Sequence, residues 1–344
     1  MSVVVLGAGP AGCAAALTLL AAGVEVTIVE RSAFPRSRPG ETLHPGIEPL
    51  LNRLGVLRVV LDANYLRHTG HWVEWNGPMQ FVPFGEDSRG PWRGFQAPRA
   101  DFDRRLLCAA MRRGAVYLPR CSVLDVRIAA RRVTGVDTAH GPIHAHFTID
   151  CTGASRWLAR RLCLSARRQS PPLLARFGYV TGCVEHPERL PQIRADRDGW
   201  TWMSEVERGR FHWTRVTRPE DRPAVNWLPE LFRDLNPEPT RGADVTWRIT
   251  SPTSGSGWFL AGDAAAVLDP SSSHGVLRAV MSGMLAGHMA AKVLRDGVDE
   301  SRCAQVYDRQ LREWFEHDTV RMAEAYHRAK LFPDLERHIG SELH

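Results

Sequence analysis

Residues 2–30 read SVVVLGAGPAGCAAALTLLAAGVEVTIVE, and this stretch decides the fold. It begins with an apolar strand, Ser2 to Leu6, and ends with a second one, Val24 to Val29. A glycine-rich turn and an alanine-rich helix lie between them. This order of elements predicts a β-α-β unit whose two strands lie side by side in a parallel sheet.

The turn after the first strand has the spacing of a dinucleotide site. Gly7 allows a sharp turn, Gly9 allows the backbone to approach a pyrophosphate, and Gly12 allows the helix to pack closely on the strand. Unpaired N–H groups at the helix N-terminus favour the anion. Glu30, at the end of the second strand, is placed to accept both hydroxyls of an adenosine ribose. Together these features predict a bound dinucleotide.

Composition excludes several other classes of protein. The chain has 344 residues, 44% hydrophobic and 24% charged, which is ordinary for one large or two interleaved globular domains. Its net charge of +6 rests on arginine, because Lys292 and Lys330 are the only lysines. No arginine run alternates with aromatic residues, so we expect no nucleic-acid partner. Seven cysteines without a Cys-x-x-Cys pair predict no metal site and a reducing cytoplasm. No apolar run is long enough to predict a membrane span.

Hydrophobic patterns predict the remaining elements. A helix is predicted to open at Glu41-Thr42-Leu43-His44-Pro45 and to run to Leu54, and Asn76-Gly77 predicts a tight hairpin turn. Further helices are predicted at 99–113, 228–235, 276–294 and 301–331, with strands at 122–128, 132–138, 143–149, 177–184, 200–206, 211–216 and 258–261.

Four motifs spread along the chain carry a resemblance to a known family. They are the glycine turn, Pro39-Gly40-Glu41, Asp150-Cys151-Thr152-Gly153, and Gly262-Asp263 followed by Asp269-Pro270 and Gly275. In these motifs the chain resembles FAD-dependent oxidoreductases of the para-hydroxybenzoate hydroxylase structural class. Within that class it is most similar to the branch of flavin-dependent halogenases, geranylgeranyl reductase-like proteins and monooxygenase-like maturases of quinone-cofactor oxidases.

The resemblance implies an α/β fold with a Rossmann-like FAD-binding domain, an interleaved mixed-sheet substrate domain and C-terminal helices. The FAD-binding domain would comprise residues 1–70, 98–165 and 250–298. The substrate domain would comprise residues 71–97 and 166–249, and a C-terminal helical segment would comprise residues 299–344.

The resemblance also implies which residues bind FAD. Asp263 would accept hydrogen bonds from ribityl or ribose hydroxyls, and the helix after Gly275 would stabilise negative charge on the flavin ring. Arg99 would reach the phosphate region, although an exposed ion pair with Asp103 is an equal alternative. The complete implied set is Gly7, Gly9, Ala11, Gly12, Glu30, Arg31, Arg38, Gly40, Glu41, Arg99, Val123, Gly153, Gly262, Asp263, Pro270, Gly275 and Val276.

Three residues are candidates for catalysis. His44 lies on the loop that passes beside the ring in relatives, and histidine transfers protons near neutral pH. A packed or helix-capping histidine is the alternative. Ser273 and His274 would lie on the wall of the ring site. Tryptophans could line a pocket for an aromatic substrate, although core packing is the better explanation for most of them: Trp72, Trp75, Trp92, Trp200, Trp202 and Trp213.

On these grounds we predict a monooxygenase that hydroxylates an aromatic or electron-rich substrate through a flavin C4a-hydroperoxide. Oxygen would be the oxidant, and NAD(P)H or a separate flavin reductase would supply electrons. The alternatives are a maturase that oxidises a tryptophan side chain of a partner protein or peptide, a geranylgeranyl reductase-like reductase or dehydrogenase, and a nucleotide-responsive binding module. Halogenation is predicted to be improbable, because halogenases carry an essential lysine and this chain has none before Lys292.

Overall fold

The computed structural model describes residues 1–335, and a six-stranded sheet forms its centre. Five strands are parallel, and the sixth pairs antiparallel at one edge. The first strand is central because its valines are buried on both faces, as parallel strands covered by helices require. In spatial order the strands are Val116–Leu118, Glu25–Val29, Ser2–Leu6, Phe147–Asp150, Trp258–Leu260 and Ser254–Gly255.

Seven α-helices accompany the sheets within residues 1–335. The packing of α1 against α6 is close, because a Cβ atom on Gly283 would lie 2.1 Å from the Ala11 carbonyl oxygen and one on Gly287 would lie 2.7 Å from that of Ala15. The helices are α1 Pro10–Ala21, α2 Ile47–Arg53, α3 Leu57–Leu61, α4 Arg99–Arg112, α5 Trp157–Arg161, α6 Gly275–Asp296 and α7 Glu300–Arg328.

An eight-stranded sheet forms the second layer, and it takes strands from two separate parts of the chain. One face contacts α7 through Trp200 and Val216, and the same face carries Trp202, His212 and Tyr179. In spatial order its strands are Asn236–Pro237, Leu174–Thr181, Arg210–Thr217, Gly199–Glu207, Gln192–Asp196, Gly70–Glu74 and Gln80–Pro83, with Arg241–Asp244 also pairing with Leu174–Thr181.

Four smaller sheets and five short 3-10 helices complete the described chain. The sheets are Val123–Ala129 with Arg132–Thr138 and Gly141–His144; Ser165–Arg168 with Arg248–Ser251 and Ala266–Val267; Thr42–Leu43 with Gly94–Gln96 and Leu66–His68; and Glu86–Asp87 with Gly90–Pro91. The 3-10 helices are Gly153–Ser155, Pro187–Arg189, Glu230–Phe232, Gly262–Ala264 and Pro270–Ser272.

The expected α/β fold class is confirmed, while several local predictions are wrong. The helix predicted from Glu41 begins only at Ile47, because Pro45 disfavours a helical His44 and Thr42–Leu43 pairs as a strand with Phe95 and Gln96. The single strand predicted at 143–149 is two strands, Gly141–His144 and Phe147–Asp150, and the second of them joins the central sheet.

Two further predictions fail at turns. The predicted two-residue turn at Asn76-Gly77 is part of a five-residue loop between Glu74 and Gln80. Asn76 has a positive φ and Gly77 does not, whereas a type I′ turn needs both. The helix predicted at 228–235 is reduced to the single turn Glu230–Phe232. Residues 336–344 of the predicted C-terminal segment lie outside the described residues.

Candidate active site

The glycine turn is shaped by close backbone contacts. Gly7 has a φ of +100°, and a Cβ atom there would lie 2.5 Å from the Cys151 carbonyl oxygen. A Cβ atom on Gly12 would lie 1.9 Å from the Gly7 carbonyl oxygen. Gly9 caps α1 without any side-chain hydrogen bond, and a Cβ atom on it would meet only Arg36 Nη2, at 3.2 Å. The α1 N-terminus is therefore open to an anionic ligand.

Glu30 lies beside this helix end. Its two carboxylate oxygens accept hydrogen bonds from the N–H groups of Ala8, at 3.0 Å, and Ser32, at 2.8 Å. Each oxygen keeps a second acceptor position for a ligand hydroxyl. Arg36 lies 3.7 Å from both Glu30 and Asp103, and its buried Nε has no hydrogen-bond partner. A cation that is only partly satisfied here suits a bound phosphate.

Arg99 holds the next part of the cleft in place. It binds Asp103 through two hydrogen bonds of 2.9 and 3.1 Å and donates to the Pro39 carbonyl oxygen. Asp103 is fully buried, so the pair is not an exposed helix pair. Arg31 and Arg38 lie on the same loop as Arg36, and partial burial together with repulsion from Arg36 and Arg31 lowers the pKa of Arg38.

Asp263 and the start of α6 form the far side of the cleft. The Gly262 N–H donates to Ser282 Oγ at 2.9 Å, which fixes the turn. The Asp263 side chain is exposed to the cleft, the protein atoms packed around it raise its pKa, and Arg99 and Arg248 oppose that shift. The Asp263 carboxylate forms no hydrogen bond within the described chain. The first N–H groups of α6, starting at Gly275, have no side-chain cap, so this positive helix end also faces the cleft.

The other predicted cofactor residues lie around this cleft. A Cβ atom on Gly40 would lie 3.2 Å from Arg99 Nη1 and 4.0 Å from Val276 Cγ2. The turn that contains Gly153 packs against the Gly262 turn. Val123 packs instead at the end of the central sheet, against the cluster that includes Val29. Ala11 lies in the first turn of α1, and Pro270 begins the short 3-10 helix before α6.

These residues fit FAD on three structural observations. The α1 N-terminus approaches a ligand through Gly9, the Arg36 Nε atom is buried without a partner, and Asp263 presents an unpaired carboxylate. An elongated nucleotide that has a ribose at one end, a pyrophosphate in the middle and a polar ring at the other end matches that order of donors and acceptors.

A group of aromatic rings lies next to the cleft, where the loop 40–46 meets α6. The rings of His44 and His274 are 5.3 Å apart between centroids, and His44 also contacts Phe84 at 5.2 Å. Phe84 further contacts His68 at 5.3 Å and His71 at 6.0 Å. We call His44, His68, His71 and His274 the histidine cluster. Ser273 was predicted as a catalytic candidate together with His44 and His274. It directly precedes His274 in the chain and has a left-handed backbone conformation with a φ of 52°.

A second polar group connects the cleft to the eight-stranded sheet. The Tyr179 hydroxyl donates a hydrogen bond to Glu41 Oε1, and His212 Nδ1 lies 3.8 Å from Glu41 Oε2. Burial and the Glu41 charge raise the pKa of Tyr179, so the phenol stays protonated and keeps donating. Burial lowers the pKa of His212, which favours the neutral ring. Glu41 Oε2 is buried without a hydrogen bond and can accept one from a ligand.

Two cavities adjoin the cleft. One lies between α6, α7 and the Gly262 turn, with His274 and Gly275 at one end and Trp314 and Phe315 on its wall. The other lies between the loop at Arg38 and the sheet strand that carries Tyr179.

The tryptophans named above have different locations. Trp200 and Trp213 are fully buried in the core. Trp202 faces the histidine cluster, with its ring 6.0 Å from that of His71. The other three make no ring contact with the cluster: Trp72 packs edge-to-face against Phe81, Trp75 contacts Tyr326, and Trp92 is exposed beside Gly85.

Sequence reasoning missed Arg36, His68, His71, Tyr179 and His212. None of them belongs to a local motif, because their partners are distant in the chain. Of these residues, only Arg36 has a local indication in the sequence. It follows Phe34-Pro35, and a cation next to the glycine turn suits a phosphate. Within residues 1–335 no group of histidine, cysteine and acidic side chains could hold a metal ion, and no helix is long and apolar enough to cross a membrane.

Comparison with known proteins shows that the chain is similar to flavin-dependent halogenases and to a menaquinone reductase. The chain is 27% identical to the tryptophan 2-halogenase of Chondromyces crocatus, over 89% of this chain and 64% of that protein. It is 31% identical to the menaquinone reductase of Mycolicibacterium smegmatis, over 86% of this chain and 76% of that protein. The crystal structure of CmlS, a flavin-dependent halogenase, superposes with a TM-score of 0.87 at 26% identity, over 98% of this chain and 67% of that one.

These relatives overturn the predicted activity. The prediction of a monooxygenase, with a maturase or a geranylgeranyl reductase-like enzyme as alternatives and halogenation improbable, is wrong, because the similarity is mainly to halogenases and extends over most of the chain. FAD as the cofactor is confirmed.

A family model described as the FAD binding domain matches residues 1–227, which is more than half of the chain. The glycine turn, Glu30 and Arg99 all lie within that match, and Asp263 completes the same cleft from outside it. The chain therefore belongs to the FAD binding domain family of flavin-dependent enzymes.

Proposed function

We propose that this protein is an FAD-dependent halogenase acting on a small aromatic substrate. The observation that carries the proposal is similarity to flavin-dependent halogenases along nearly the whole chain, in sequence and in fold. The chain spans 64% of the length of the tryptophan 2-halogenase, so its substrate is proposed here on the geometry of this chain. When bound and reduced, FAD would supply, with oxygen and a halide, the equivalents that make the halogen electrophilic.

Residues of the cleft would bind and orient the cofactor. Gly9 and the α1 N-terminus would bind the pyrophosphate, with Arg36 and Arg99 balancing its charge. Glu30 would hold the adenosine ribose and Asp263 the ribityl chain. The uncapped N–H groups at the start of α6 favour negative charge, so this end would stabilise a reduced ring or a halide beside it.

Glu41 and Tyr179 would set the position of the loop beside the ring. Their hydrogen bond joins the loop 40–46 to the eight-stranded sheet, so the two layers enclose the cleft between them. The neutral His212 sits next to Glu41 without adding a charge. An enclosed cleft excludes water, which protects a reactive halogen from loss to solvent.

The cavity between α6, α7 and the Gly262 turn is the proposed substrate site. Trp314 and Phe315 offer aromatic surface for stacking, and Arg278 is fixed by two hydrogen bonds to Asp318 of 2.7 and 2.6 Å. His274 and Gly275 place the histidine cluster and the α6 end at the same cavity. A small aromatic molecule would therefore lie between stacking rings and the halogenating end of the cleft.

Reduced flavin would come from a separate reductase. The sequence contains one Gly-x-Gly-x-x-Gly turn, which FAD would occupy, and no second one for a resident nicotinamide. Transient binding of NAD(P)H is the competing source of electrons. The free cysteines, which form no disulfide among the described residues, agree with a reducing compartment such as the cytoplasm.

Halide-dependent trapping tests the proposal without knowledge of the substrate. The protein is reconstituted with FAD, supplied with a flavin reductase, NADH, oxygen and bromide, and mixed with monochlorodimedone, which hypohalous acid halogenates. We expect loss of monochlorodimedone that requires bromide, oxygen and the protein together. Oxidation of reduced flavin without any bromide-dependent loss would contradict a halogenase.

Reduction of a menaquinone is the second candidate. It is favoured by the 31% identity to the menaquinone reductase and by the absence of any lysine before Lys292. Under anaerobic conditions the reduced protein is mixed with menaquinone, and the molecular mass of the product is measured by mass spectrometry. A product that has gained two hydrogen atoms, with no halide requirement, would establish this reaction in place of halogenation.

A further inference from the structure

An arginine–aspartate pair lies on the wall of the cavity between α6, α7 and the Gly262 turn. Arg278, in the first turn of α6, donates from Nε and Nη2 to the two carboxylate oxygens of Asp318 on α7, at 2.7 and 2.6 Å. The Asp318 side chain is only 7% exposed, whereas that of Arg278 is 28% exposed. The arginine is therefore the member of the pair that a ligand can reach.

The Arg278 guanidinium is also held by an aromatic ring. Its Cζ atom lies 5.5 Å from the centroid of the Trp314 ring, which lines the same cavity. Trp314 and Asp318 are four residues apart on α7, so they lie on the same face of that helix. Because the guanidinium is fixed on two sides, little further ordering is needed when it binds a ligand.

Arg278 keeps hydrogen-bond donors that the protein does not use. A guanidinium has five N–H groups, and Asp318 accepts from two of them. A third is directed at Met281 Sδ, at a distance of 3.9 Å from Nη1. The remaining N–H groups, one on Nη1 and one on Nη2, form no hydrogen bond with a described residue. Two donors on adjacent nitrogens can bind a single acceptor oxygen.

The positive charge of these donors is already balanced. Asp318 binds the guanidinium through both oxygens, and burial together with the neighbouring His44 lowers the pKa of His274 to about 4, which keeps that ring neutral. Among the described residues that line the cavity, Asp263 carries the other charge, and it is negative. A ligand carboxylate on Arg278 would share its guanidinium with Asp318, and like charges so placed repel each other.

A positively charged substrate group would also lack a partner here. Both oxygens of Asp318 already accept from Arg278, and the proposed function assigns Asp263 to the ribityl chain of FAD. An ammonium group would therefore leave water without gaining a free carboxylate. A free amino acid, which carries both charges, is matched at neither of them.

Resting on the proposed function, which takes this cavity as the substrate site, we propose that the Arg278–Asp318 pair selects uncharged aromatic substrates with a hydrogen-bond acceptor. A carbonyl or phenol oxygen would bind the two free N–H groups of Arg278, while the ring stacks on Trp314 and Phe315. Asp318 would repel a carboxylate at the same position, so it is the residue that sets the charge the cavity accepts.

The first test compares ligands that share one ring and differ in one group. FAD-loaded protein is titrated by calorimetry with indole-3-carboxamide, indole-3-carboxylate, 3-isopropylindole and tryptophan. We expect the carboxamide to bind at least ten-fold more tightly than the other three, because it alone has an uncharged acceptor oxygen. Equal or tighter binding of the carboxylate or of tryptophan, or no binding of any compound, would overturn the proposal.

The second test changes the charge of the wall and keeps its shape. Asp318→Asn retains one acceptor for Arg278 and removes the negative charge, so we expect the affinity for indole-3-carboxylate, relative to the carboxamide, to rise about ten-fold. Glu313→Gln is the matched control, because it removes the same charge from α7 at an exposed site, 3.9 Å from Arg309. The control should keep the preference of the unchanged protein. Thermal unfolding shows whether each variant is folded, and the ligand series on the unchanged protein decides the proposal if Asp318→Asn is not.

The outcomes separate this proposal from the proposed function. If the carboxamide is preferred and Asp318→Asn shifts the preference, but monochlorodimedone shows no bromide-dependent loss, the halogenase function fails and the selection by charge stands. If halogenation occurs while folded Asp318→Asn keeps the preference of the unchanged protein, the protein is a halogenase and the role given to Asp318 fails. A shift of the same size in Glu313→Gln would also contradict that role, since the charge would then act from outside the cavity.

Discussion

Gly9 and Gly12 lie in the same turn but differ in what an added methyl group would meet. At Gly12 it would lie 1.9 Å from the Gly7 carbonyl oxygen, which is backbone and cannot move away. At Gly9 it would meet only the end of the Arg36 side chain. We expect Gly12→Ala to lower the free energy of unfolding by about 3 kcal/mol.

The matched variant Gly9→Ala should keep its stability and lose FAD affinity instead, by about ten-fold, because the methyl group would stand where the pyrophosphate approaches the backbone. Urea unfolding and a fluorescence titration with FAD measure the two effects. Equal loss of stability in both variants would show that the turn is not shaped as described.

The neutral histidines of the cluster should make stability depend on pH. An unfolded histidine has a pKa of 6.5, whereas His68 has one of about 3 and His274 one of about 4 in the folded state. Between these values the unfolded chain binds more protons, so stability is highest above pH 6.5 and falls as the pH drops toward the folded values. Each ring contributes a slope of up to about 1.4 kcal/mol per pH unit.

His68→Phe should therefore flatten the dependence of the unfolding free energy on pH. Near neutral pH the unfolding free energy of the variant should be equal to that of the unchanged protein or higher. Urea unfolding at several pH values below and above 6.5 measures this. His140→Phe, an exposed site, is the control. Parallel curves for His68→Phe and the unchanged protein would mean that His68 titrates normally.

At the scale of elements, α7 supports the loop before α6 through one buried carboxylate. Asp269 accepts hydrogen bonds from Trp247 Nε1 at 2.5 Å, the Tyr326 hydroxyl at 2.9 Å and the Ser271 N–H at 2.9 Å. We expect Tyr326→Phe to destabilise the protein by about 1 to 3 kcal/mol, because a buried carboxylate loses one donor.

The same change should weaken FAD binding, since the loop from Asp269 to Gly275 would no longer be fixed against α7. Thermal unfolding and FAD titration of the variant measure both. Tyr117→Phe is the control, because that hydroxyl is buried without a partner and its removal should cost nothing. If the two variants lose FAD affinity equally, α7 does not hold the loop.

Elements were predictable where their own sequence decides them. The first β-α-β unit, α4 and α6 follow from hydrophobic period and glycine position, and the structure places them within a few residues of the prediction. The segment at 41–46 failed because a strand partner, Gly94–Gln96, lies about fifty residues away and outweighs local helix preference.

At the scale of the whole molecule, the cleft could be predicted and the cluster could not. Gly9, Glu30 and Asp263 stand in motifs whose spacing indicates a nucleotide. The four histidines come from three parts of the chain, namely the loop 40–46, residues 68–71 and the turn before α6, and they are connected by ring contacts with Phe84 and between His44 and His274. No periodicity in the sequence indicates that these residues are in contact, so the histidine cluster could not be predicted. The absence of a lysine before Lys292, in contrast, can be read directly from the sequence.

FAD should stabilise the whole protein, and the increase in the free energy of unfolding should depend on the adenosine half of FAD. The adenosine and pyrophosphate contacts lie on α1 and the central sheet, whereas the ring contacts lie on the loop beside α6, so the intact dinucleotide joins both sides of the cleft. At a hundredfold excess over its Kd, a ligand that binds only the folded state adds about 2.7 kcal/mol to the free energy of unfolding.

We expect FAD to raise Tm clearly, ADP to raise it partly, and riboflavin at the same concentration to leave it nearly unchanged. Thermal unfolding with each compound measures this, and a rise with riboflavin equal to that with FAD would place the principal contacts at the ring and contradict the role given to Gly9, Glu30 and Arg36.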